Sequence, residues 1–360
     1  MKLIRTQEAV GHVLCHDMTQ IIPGQYKDAR FRKGHVVREE DVPVLLSMGK
    51  ENLYVWEMVP GMVHENDAAQ RLCALCEGEN MVRSQVKESK LELTAAIDGL
   101  FRVDAGRLNR INLLDDVMIA TRHGNTAVRK GDKLCGTRVI PLIIEEEKLR
   151  QAEEIGGGRP LLELLPWKLK TAAVIATGSE VAKGLIQDSF TPVVEKKLAA
   201  FGIETVRTAR PGDDMEAITR EILDAKGAGV DVILCTGGMS VDPDDRTPGA
   251  VKDALGRPDR SFAGRRPEND GPRASGTRIV TYGAPVLPGA MFLLGYFADG
   301  TPVMGLPGCV MYAKSTIFDL VLPRIAAGVP VTREEIAGMG EGGLCLGCGV
   351  CTYPNCGFGK

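Results

Sequence analysis

From Thr171 onward the apolar positions fall into two alternating rhythms. The run TAAVIAT (171–177) is continuously apolar and ends on Thr177-Gly178, the pattern of a strand buried on both faces of a parallel sheet. PVVEKKLAAFG (192–202) follows with Val193, Val194, Leu198 and Phe201 at helical spacing. Pro192 suits its first turn and Gly202 its C-terminal end. IETVRT (203–208) predicts a second strand. DDMEAITREILDAKGAG (213–229) predicts an amphipathic helix through Met215, Ile218, Ile222 and Leu223, acidic where the helix dipole favours negative charge. VDVILCTGG (230–238) predicts a third strand closing on paired glycines. Strand–helix–strand–helix–strand at this spacing is a doubly wound α/β unit. Residues 257–277 hold few apolar side chains and many Pro, Gly and Arg, the composition of a surface insertion. Short strands then resume, with a hairpin turning at Ala298-Asp299-Gly300, and 311–328 predicts a closing helix interrupted at Pro323.

Upstream the rhythm changes. Short apolar runs are punctuated by Gly11, Gly24, Gly34, Gly49 and Pro60. The pattern predicts a short helix over 39–49, a strand over 51–57, helix through 66–98, strands joined by turns over 124–144 and a helix over 145–154. Ile155 to Pro160 reads as a linker, which places the boundary near 156–170. The expected organisation is a mixed α+β N-terminal region over 1–165, an α/β domain over 170–330 and a Cys-rich metal-binding tail over 340–360.

A length of 360 residues, at about 150 per domain, fits two or three domains. Apolar residues at 44% and charged residues at 25% place the chain among globular proteins. Glycine at 42 residues with aromatics at 5% favours α/β architecture with tight turns over a sandwich rich in Tyr and Trp. Lys plus Arg number 44 against 47 Asp plus Glu, so the basic excess of a nucleic-acid binder is missing. The most apolar stretch, Ala284 to Phe297, is too short to span a bilayer and is broken by Pro285, Pro288, Gly289 and Gly295. The opening MKLIRTQEAVGHVLCHD lacks the apolar segment of a signal peptide. The expectation is a cytoplasmic protein with neither nucleic acid nor membrane as partner.

Ligands of doubly wound sheets bind beyond the C-terminal ends of the strands. Two loops fall there. The first is Thr177-Gly178-Ser179-Glu180, running on to Gly184 and Asp188; the second is Thr236-Gly237-Gly238-Met239-Ser240, running on to Asp244, Asp245 and Thr247. Glycine admits close backbone approach, and free N–H groups with Ser or Thr hydroxyls satisfy phosphate oxygens. Asp244 and Asp245 can hold a divalent cation that bridges phosphates. The same residue types also make plain turns and helix caps, but two such loops on one sheet edge favour a ligand.

These motifs, together with GDDMEAI after the second strand, the D-x-T of Asp245 to Thr247, Pro288-Gly289 and the GLPG ending at Gly308, resemble the molybdopterin-binding family. That family includes molybdopterin adenylyltransferase and molybdopterin molybdotransferase. AVGHVLCHD (9–17) is similar to the molybdotransferase opening AxGxVLAxD, and GHVVREEDVPVLLSMGKENLYVWE to the segment preceding its pterin domain. The resemblance covers about residues 170–330 and implies a three-layer αβα domain. It implies a role in molybdenum-cofactor biosynthesis, as a transferase, with molybdopterin or adenylated molybdopterin as ligand, Mg²⁺ as cofactor and a homo-oligomeric state. The implied ligand-binding residues are Thr177, Gly178, Ser179, Glu180, Asp188, Thr236, Gly237, Gly238, Ser240, Thr247, Pro307 and Gly308; the implied catalytic acids are Asp214 and Asp245. Asp214 also stands where a helix N-cap belongs.

The chain departs from the family at several points. Leu306-Pro307-Gly308-Cys309-Val310 replaces LPGNP, Leu287-Pro288-Gly289-Ala290-Met291 replaces a KPGKP-like segment without its lysine, and Asp188-Ser189-Phe190 replaces D-S/T-N. The DxSxMDGYA segment is absent. These changes weigh against molybdate insertion and keep two alternatives open. One is a non-catalytic cofactor carrier or sensor that docks to a client molybdoenzyme; the other is a nucleotide hydrolase, as in the competence-damage-inducible family that shares the fold.

Ten cysteines complete the picture, and four are clustered: Cys345, Cys348, Cys351 and Cys356, with spacing C-x2-C-x2-C-x4-C and glycines at 347 and 349. Structural Zn²⁺ usually takes two pairs farther apart, whereas successive x2 gaps resemble the cluster-binding run of bacterial ferredoxins. The last gap and the place of Pro354 differ from that run, so [4Fe–4S] and Zn²⁺ both stand, beside the plainer possibility of a loose tail. Cys73 and Cys76 share one face of an expected helix and read as packing. His12, His16, His35, His64 and His123 lack partners at ligand spacing and are assigned no role.

Overall fold

The computed structural model describes residues 2–22, 26–55, 60–87, 89–178, 187–240, 242–243, 245–256 and 278–360; the expected insertion at 257–277 lies outside them. The chain divides into two compact units, one of Met1–Ile97, Phe101–Gly124 and Arg129–Leu164, the other of Asp98–Leu100, Asn125–Val128 and Leu165–Lys360. No helix among the described residues is long and apolar enough to cross a membrane.

In the first unit, strand Lys2–Arg5 pairs antiparallel with Asn52–Val55, and Met18–Ile22 forms a hairpin with Tyr26–Phe31. Leu14, Leu45, Leu53 and Val55 close a small core here, with Leu45 supplied by helix Asp41–Ser47. A second sheet orders Met81–Arg83, Leu91–Ala95, Lys133–Val139 and Val117–Thr121, all antiparallel. Helix Glu65–Cys76 lies along it, and both Cys73 and Cys76 are fully buried, as their helical spacing predicts. Cys76 sets its thiol against Cys135 of the adjoining strand, where that contact and burial push it well above an ordinary thiol pKa. The expected helix through 66–98 is corrected: it stops at Cys76. Two features end it. A Cβ at Gly78 would stand 2.5 Å from the Leu162 carbonyl oxygen, so the chain passes another segment at backbone contact. Beyond it, Leu91, Leu93 and Ala95 are buried while Glu92 and Thr94 are not, a period of two that a helix cannot satisfy.

The second unit follows the expected rhythm. Its elements are β1 (Thr171–Ala176), α1 (Phe190–Ala199), β2 (Glu204–Ala209), α2 (Met215–Gly227), β3 (Val232–Thr236), α3 (Thr247–Gly256), β4 (Arg278–Tyr282), β5 (Leu293–Tyr296), β6 (Pro302–Leu306), α4 (Ile317–Ala326) and α5 (Arg333–Gly338). One sheet runs in the order β2-β1-β3-β6-β5-β4, parallel from β2 to β6 and antiparallel across β5 and β4. Alternate residues of each central strand enter opposite cores. Ala172, Val174, Val232, Leu234 and Met304 meet Val194, Leu198, Phe318 and Val321 of α1 and α4. Ala173, Ile175, Ile233, Cys235 and Val303 meet Ile218, Ile222, Val251 and Ala254 of α2 and α3. The result is three layers, αβα. The hairpin between β5 and β6 turns at Asp299-Gly300, with Gly300 at φ +88°, as its sequence predicts.

The closing helix differs from expectation in two ways. It begins at Ile317 rather than 311, because Thr316 and Asp319 form a reciprocal capping box and Gly308–Met311 makes a separate short 3-10 turn. It also runs through Pro323 without interruption. A proline supplies no N–H to the carbonyl four residues earlier. That carbonyl belongs to Asp319, and it accepts a hydrogen bond from the Tyr353 hydroxyl at 2.8 Å. The donor comes from the Cys-rich segment, which is therefore no loose tail. Leu287 and Cys345 exchange backbone bonds with Gly343 and Leu287, both at 2.8 Å, and Phe358 is buried in the core below α4.

Candidate functional site

The register of the parallel strands decides what shares the upper edge of the sheet. Ala176 pairs with Thr236, and Thr236 with Leu306, so β1, β3 and β6 end level. Ile175 pairs with Ala209, which brings the end of β2 to the same edge. The loops opening at Thr177, Arg210, Gly237 and Pro307 are therefore neighbours, where ligands of such sheets bind.

At the centre lies a hydrogen-bonded knot. The Thr177 amide donates to the Thr236 carbonyl at 2.7 Å, and its hydroxyl lies 3.1 Å from that oxygen and 3.1 Å from the Thr247 hydroxyl. Thr247 donates in turn to the Gly237 carbonyl at 2.9 Å. Gly237 and Gly238 have φ of +84° and +55°, and a Cβ on Gly237 would stand 2.5 Å from the Thr177 carbonyl oxygen. Only glycine fits there, on conformational and steric grounds alike. Thr177, Gly178, Thr236, Gly237, Gly238 and Thr247 are thus brought together, but the Thr177 and Thr247 hydroxyls serve the knot itself. The sequence reading gave these hydroxyls to a ligand, and the structure spends them within the protein.

The acids are placed less uniformly. Asp214 is exposed and caps α2, its carboxylate accepting the Ala217 N–H at 2.7 Å. Asp188 is sequestered at the start of α1. Burial works against its ionisation, but hydrogen bonds from Thr191 and Phe190 and the nearby Arg210 guanidinium outweigh it and hold the carboxyl below its ordinary value. Asp245 differs from both: among the described residues its carboxylate makes no hydrogen bond. Together with burial, it raises the pKa of the Tyr282 phenol, whose hydroxyl donates toward the carbonyls of Met239 and Ser240 at 3.1 and 3.3 Å. Ser240 itself is exposed. Pro307 is buried and Gly308 opens the turn after β6. Ser179, Glu180, Gly184 and Asp244 lie outside the described residues.

Two residues at this edge escaped sequence reasoning. Arg210, half-exposed and 3.3 Å from Asp188, is a cation beside the loops; its signal was its place directly after β2 and before Pro211-Gly212. Tyr282 tethers the β3 loop from a strand distant in sequence, and no local pattern points to it. The four cysteines of the 345–356 segment line one cavity, yet among the described residues no three Cys, His, Asp or Glu side chains converge as a set for a single ion.

Comparison with known proteins bears on this edge. Residues 173–327 match the family model described as a probable molybdopterin binding domain, in agreement with the motif resemblance. Residues 3–57 match a domain of unknown function. A CinA-like protein of Thermosipho melanesiensis is 32% identical over 89 residues, which is 25% of this chain and 22% of that protein. A probable FAD synthase of Caenorhabditis elegans is 35% identical over 78 residues, 22% of this chain and 15% of that one. The chain spans between 15% and 22% of the length of these curated relatives. Among solved structures, the molybdopterin biosynthesis enzyme MoaB of Thermus thermophilus aligns with a TM-score of 0.32 at 22% identity, over 45% of this chain and all but a fraction of the other (99%).

Proposed function

We propose that the second unit binds molybdopterin, or its AMP ester, across the upper edge of its sheet, as a component of molybdenum-cofactor biosynthesis. The observation that carries this is that β1, β2, β3 and β6 end at one edge, where Gly237 and Gly238 hold left-handed conformations, in the segment that matches the molybdopterin-binding model. Because the threonine hydroxyls are committed to the knot, phosphate recognition falls to loop backbone N–H groups and to Arg210. Asp245 is the acid suited to Mg²⁺. Such an ion commonly takes one or two carboxylates, with phosphate oxygens and waters completing its shell, so a single uncommitted carboxylate at a phosphate loop fits it. When bound, the ion offsets phosphate charge.

The position of Asp214 favours carriage over turnover. Its carboxylate already caps α2, which gives one of the two acids expected for molybdate insertion a structural role of its own. In that reading the recipient is a client molybdoenzyme and the chain a homo-oligomeric cytoplasmic carrier.

Anaerobic calorimetric titration of the full chain with molybdopterin and with its AMP ester, with and without Mg²⁺, tests the proposal. A charge-assisted contact contributes about 1.5–3 kcal/mol, so Asp245→Asn should weaken Mg²⁺-dependent binding by about 10- to 100-fold. No binding by the wild type, or unchanged affinity in the variant, refutes the site. AMP release on adding molybdate would establish turnover and overturn the carrier reading. Parallel titrations with FAD and ADP-ribose cover a nucleotide ligand; tighter binding of either would replace the pterin.

A further inference from the structure

We propose that the segment from Cys345 to Cys356 holds a [4Fe–4S]-type iron–sulfur cluster in a cavity built into the second unit, separate from the pterin edge.

Three observations carry it. The first is a shared cavity. Cys345, Cys348, Cys351 and Cys356 all line one open cavity of about 700 Å³, together with Ser315 and Tyr353. The walls are anchored: Lys314 donates to the Gly349 carbonyl at 2.9 Å, the Cys351 sulfur lies 3.5 Å from the Ser315 hydroxyl, and Tyr353 donates to the Asp319 carbonyl. Gly359 passes so close to α4 that a Cβ there would stand 2.4 Å from Leu320. Adventitious metal capture by a loose tail does not need such a seat.

The second is spacing. A single tetrahedral Zn²⁺ at 2.3 Å from each sulfur requires thiolates about 3.8 Å apart, converging on one point. The four cysteines line one cavity, and among the described residues no three Cys, His, Asp or Glu side chains are already drawn together about a metal ion, so the choice of group rests on the ligand run. A polynuclear cluster gives each thiolate a different iron, so its ligands stand around a volume rather than about a point. The C-x2-C-x2-C run with glycines at 347 and 349 is suited to that arrangement.

The third is what the segment lacks. Between Leu344 and Val350 the chain forms neither helix nor strand, and Leu346 and Val350 are 82% and 79% exposed. The backbone anchors of the segment thus come with little apolar burial at Leu346 and Val350, and in such segments bound metal is a usual substitute for a core. The Lys314 ammonium at the rim complements the net negative charge of a cluster bearing four thiolates. The cavity wall at Ala313 to Ser315 continues directly from the turn after β6. A cluster there therefore sits one short loop from Pro307-Gly308.

The test is anaerobic purification or reconstitution of the full chain with iron and sulfide, followed by metal, sulfide and spectroscopic analysis. About four irons and four acid-labile sulfides per chain are expected, with broad absorption near about 400 nm and an EPR signal appearing on dithionite reduction. The Cys348→Ser/Cys351→Ser double variant removes only exposed thiols and leaves the other eight cysteines in place. It should lose the iron and the absorption while its far-UV circular dichroism stays unchanged. Colourless wild type with one zinc, two irons in place of four, no stoichiometric metal, or a double variant that keeps its iron would each overturn the proposal. Metal analysis of the wild type decides the matter even if the variant misfolds.

Discussion

Pro323 and Tyr353 make a quantitative test of how the Cys-rich segment is joined to the fold. In α4 the donor for the Asp319 carbonyl would be residue 323, which is proline, and Tyr353 fills the vacancy at 2.8 Å. The phenol is protonated at neutral pH in any case, and burial and then the neighbouring Asp319 carboxylate push its pKa further up. Tyr353→Phe leaves the ring in place and removes only the donor. A buried carbonyl left without a partner costs about 1–3 kcal/mol, more than the net value of the bond itself. In a Pro323→Ala background the helix has its own N–H for Asp319, so the same substitution should cost only a few tenths of a kcal/mol. The double-mutant cycle should therefore show coupling of about 1 kcal/mol or more, read from urea midpoints of the full chain with a tryptophan probe of the second unit at Trp167. Additive effects within about 0.3 kcal/mol would refute the account, and would mean that Tyr353 acts through ring packing alone.

Asp214 separates cap from acid: Asp214→Ala should lower stability by about 1 kcal/mol, whereas Asp214→Asn, a good cap without charge, should be neutral to stability. If Asp214→Asn instead abolishes a measured turnover, the residue is an acid as well as a cap. Asp188 carries a pH signature. Its folded pKa lies below the ordinary carboxylate value, so its stabilisation is complete above that value and is lost as pH falls through the lower folded one. Asp188→Asn should thus be less stable than wild type at pH 7, with the gap closing in acid; a gap independent of pH down to the folded pKa counts against the ionic account. Thr247→Val leaves the Gly237 carbonyl without its donor and should cost about 1–3 kcal/mol, while the folded fraction keeps its ligand affinity within about twofold. A large loss of affinity at unchanged stability would return the hydroxyl to the ligand.

The α/β rhythm after Thr171 was legible because each element carries its own periodicity and end signals. Ala172 to Ala176 is apolar on both faces, and α2 begins on a capping aspartate. The first unit was harder, for a physical reason. Its strands are three to seven residues long, and its sheets are completed by partners far away in sequence, as where Lys133–Val139 pairs with Leu91–Ala95. The alternation in LELTA was visible, but an apolar helix just before it invited continuation, and the close passage of Gly78 by Leu162 is a tertiary constraint on the helix that no local pattern shows. Pro323 misled in the opposite direction. Whether a proline breaks a helix depends on who satisfies the orphaned carbonyl, and the answer lay thirty residues downstream, about one-twelfth of the chain away.

The candidate site shows the same limit in its hydrogen bonds. Thr177 and Thr247 stand in strand-end loops where a phosphate ligand was a reasonable use for their hydroxyls, and Asp214 was expected as a catalytic acid. Each hydroxyl has one proton to give, however, and a carboxylate at a helix start has a competing claim from the first turn. Whether Thr177 gives its proton to the Thr236 carbonyl or to Thr247, and Thr247 its own to the Gly237 carbonyl, both are consumed within the loops. That expenditure is what holds Gly237 and Gly238 in left-handed conformations with their backbone at the sheet edge. The motif's polar side chains therefore shape the loop, and its glycines present the backbone. Asp245 is left as the charged group whose removal should change affinity more than stability, and that contrast with Thr247 is the measurable difference between residues that build a phosphate loop and residues that use it.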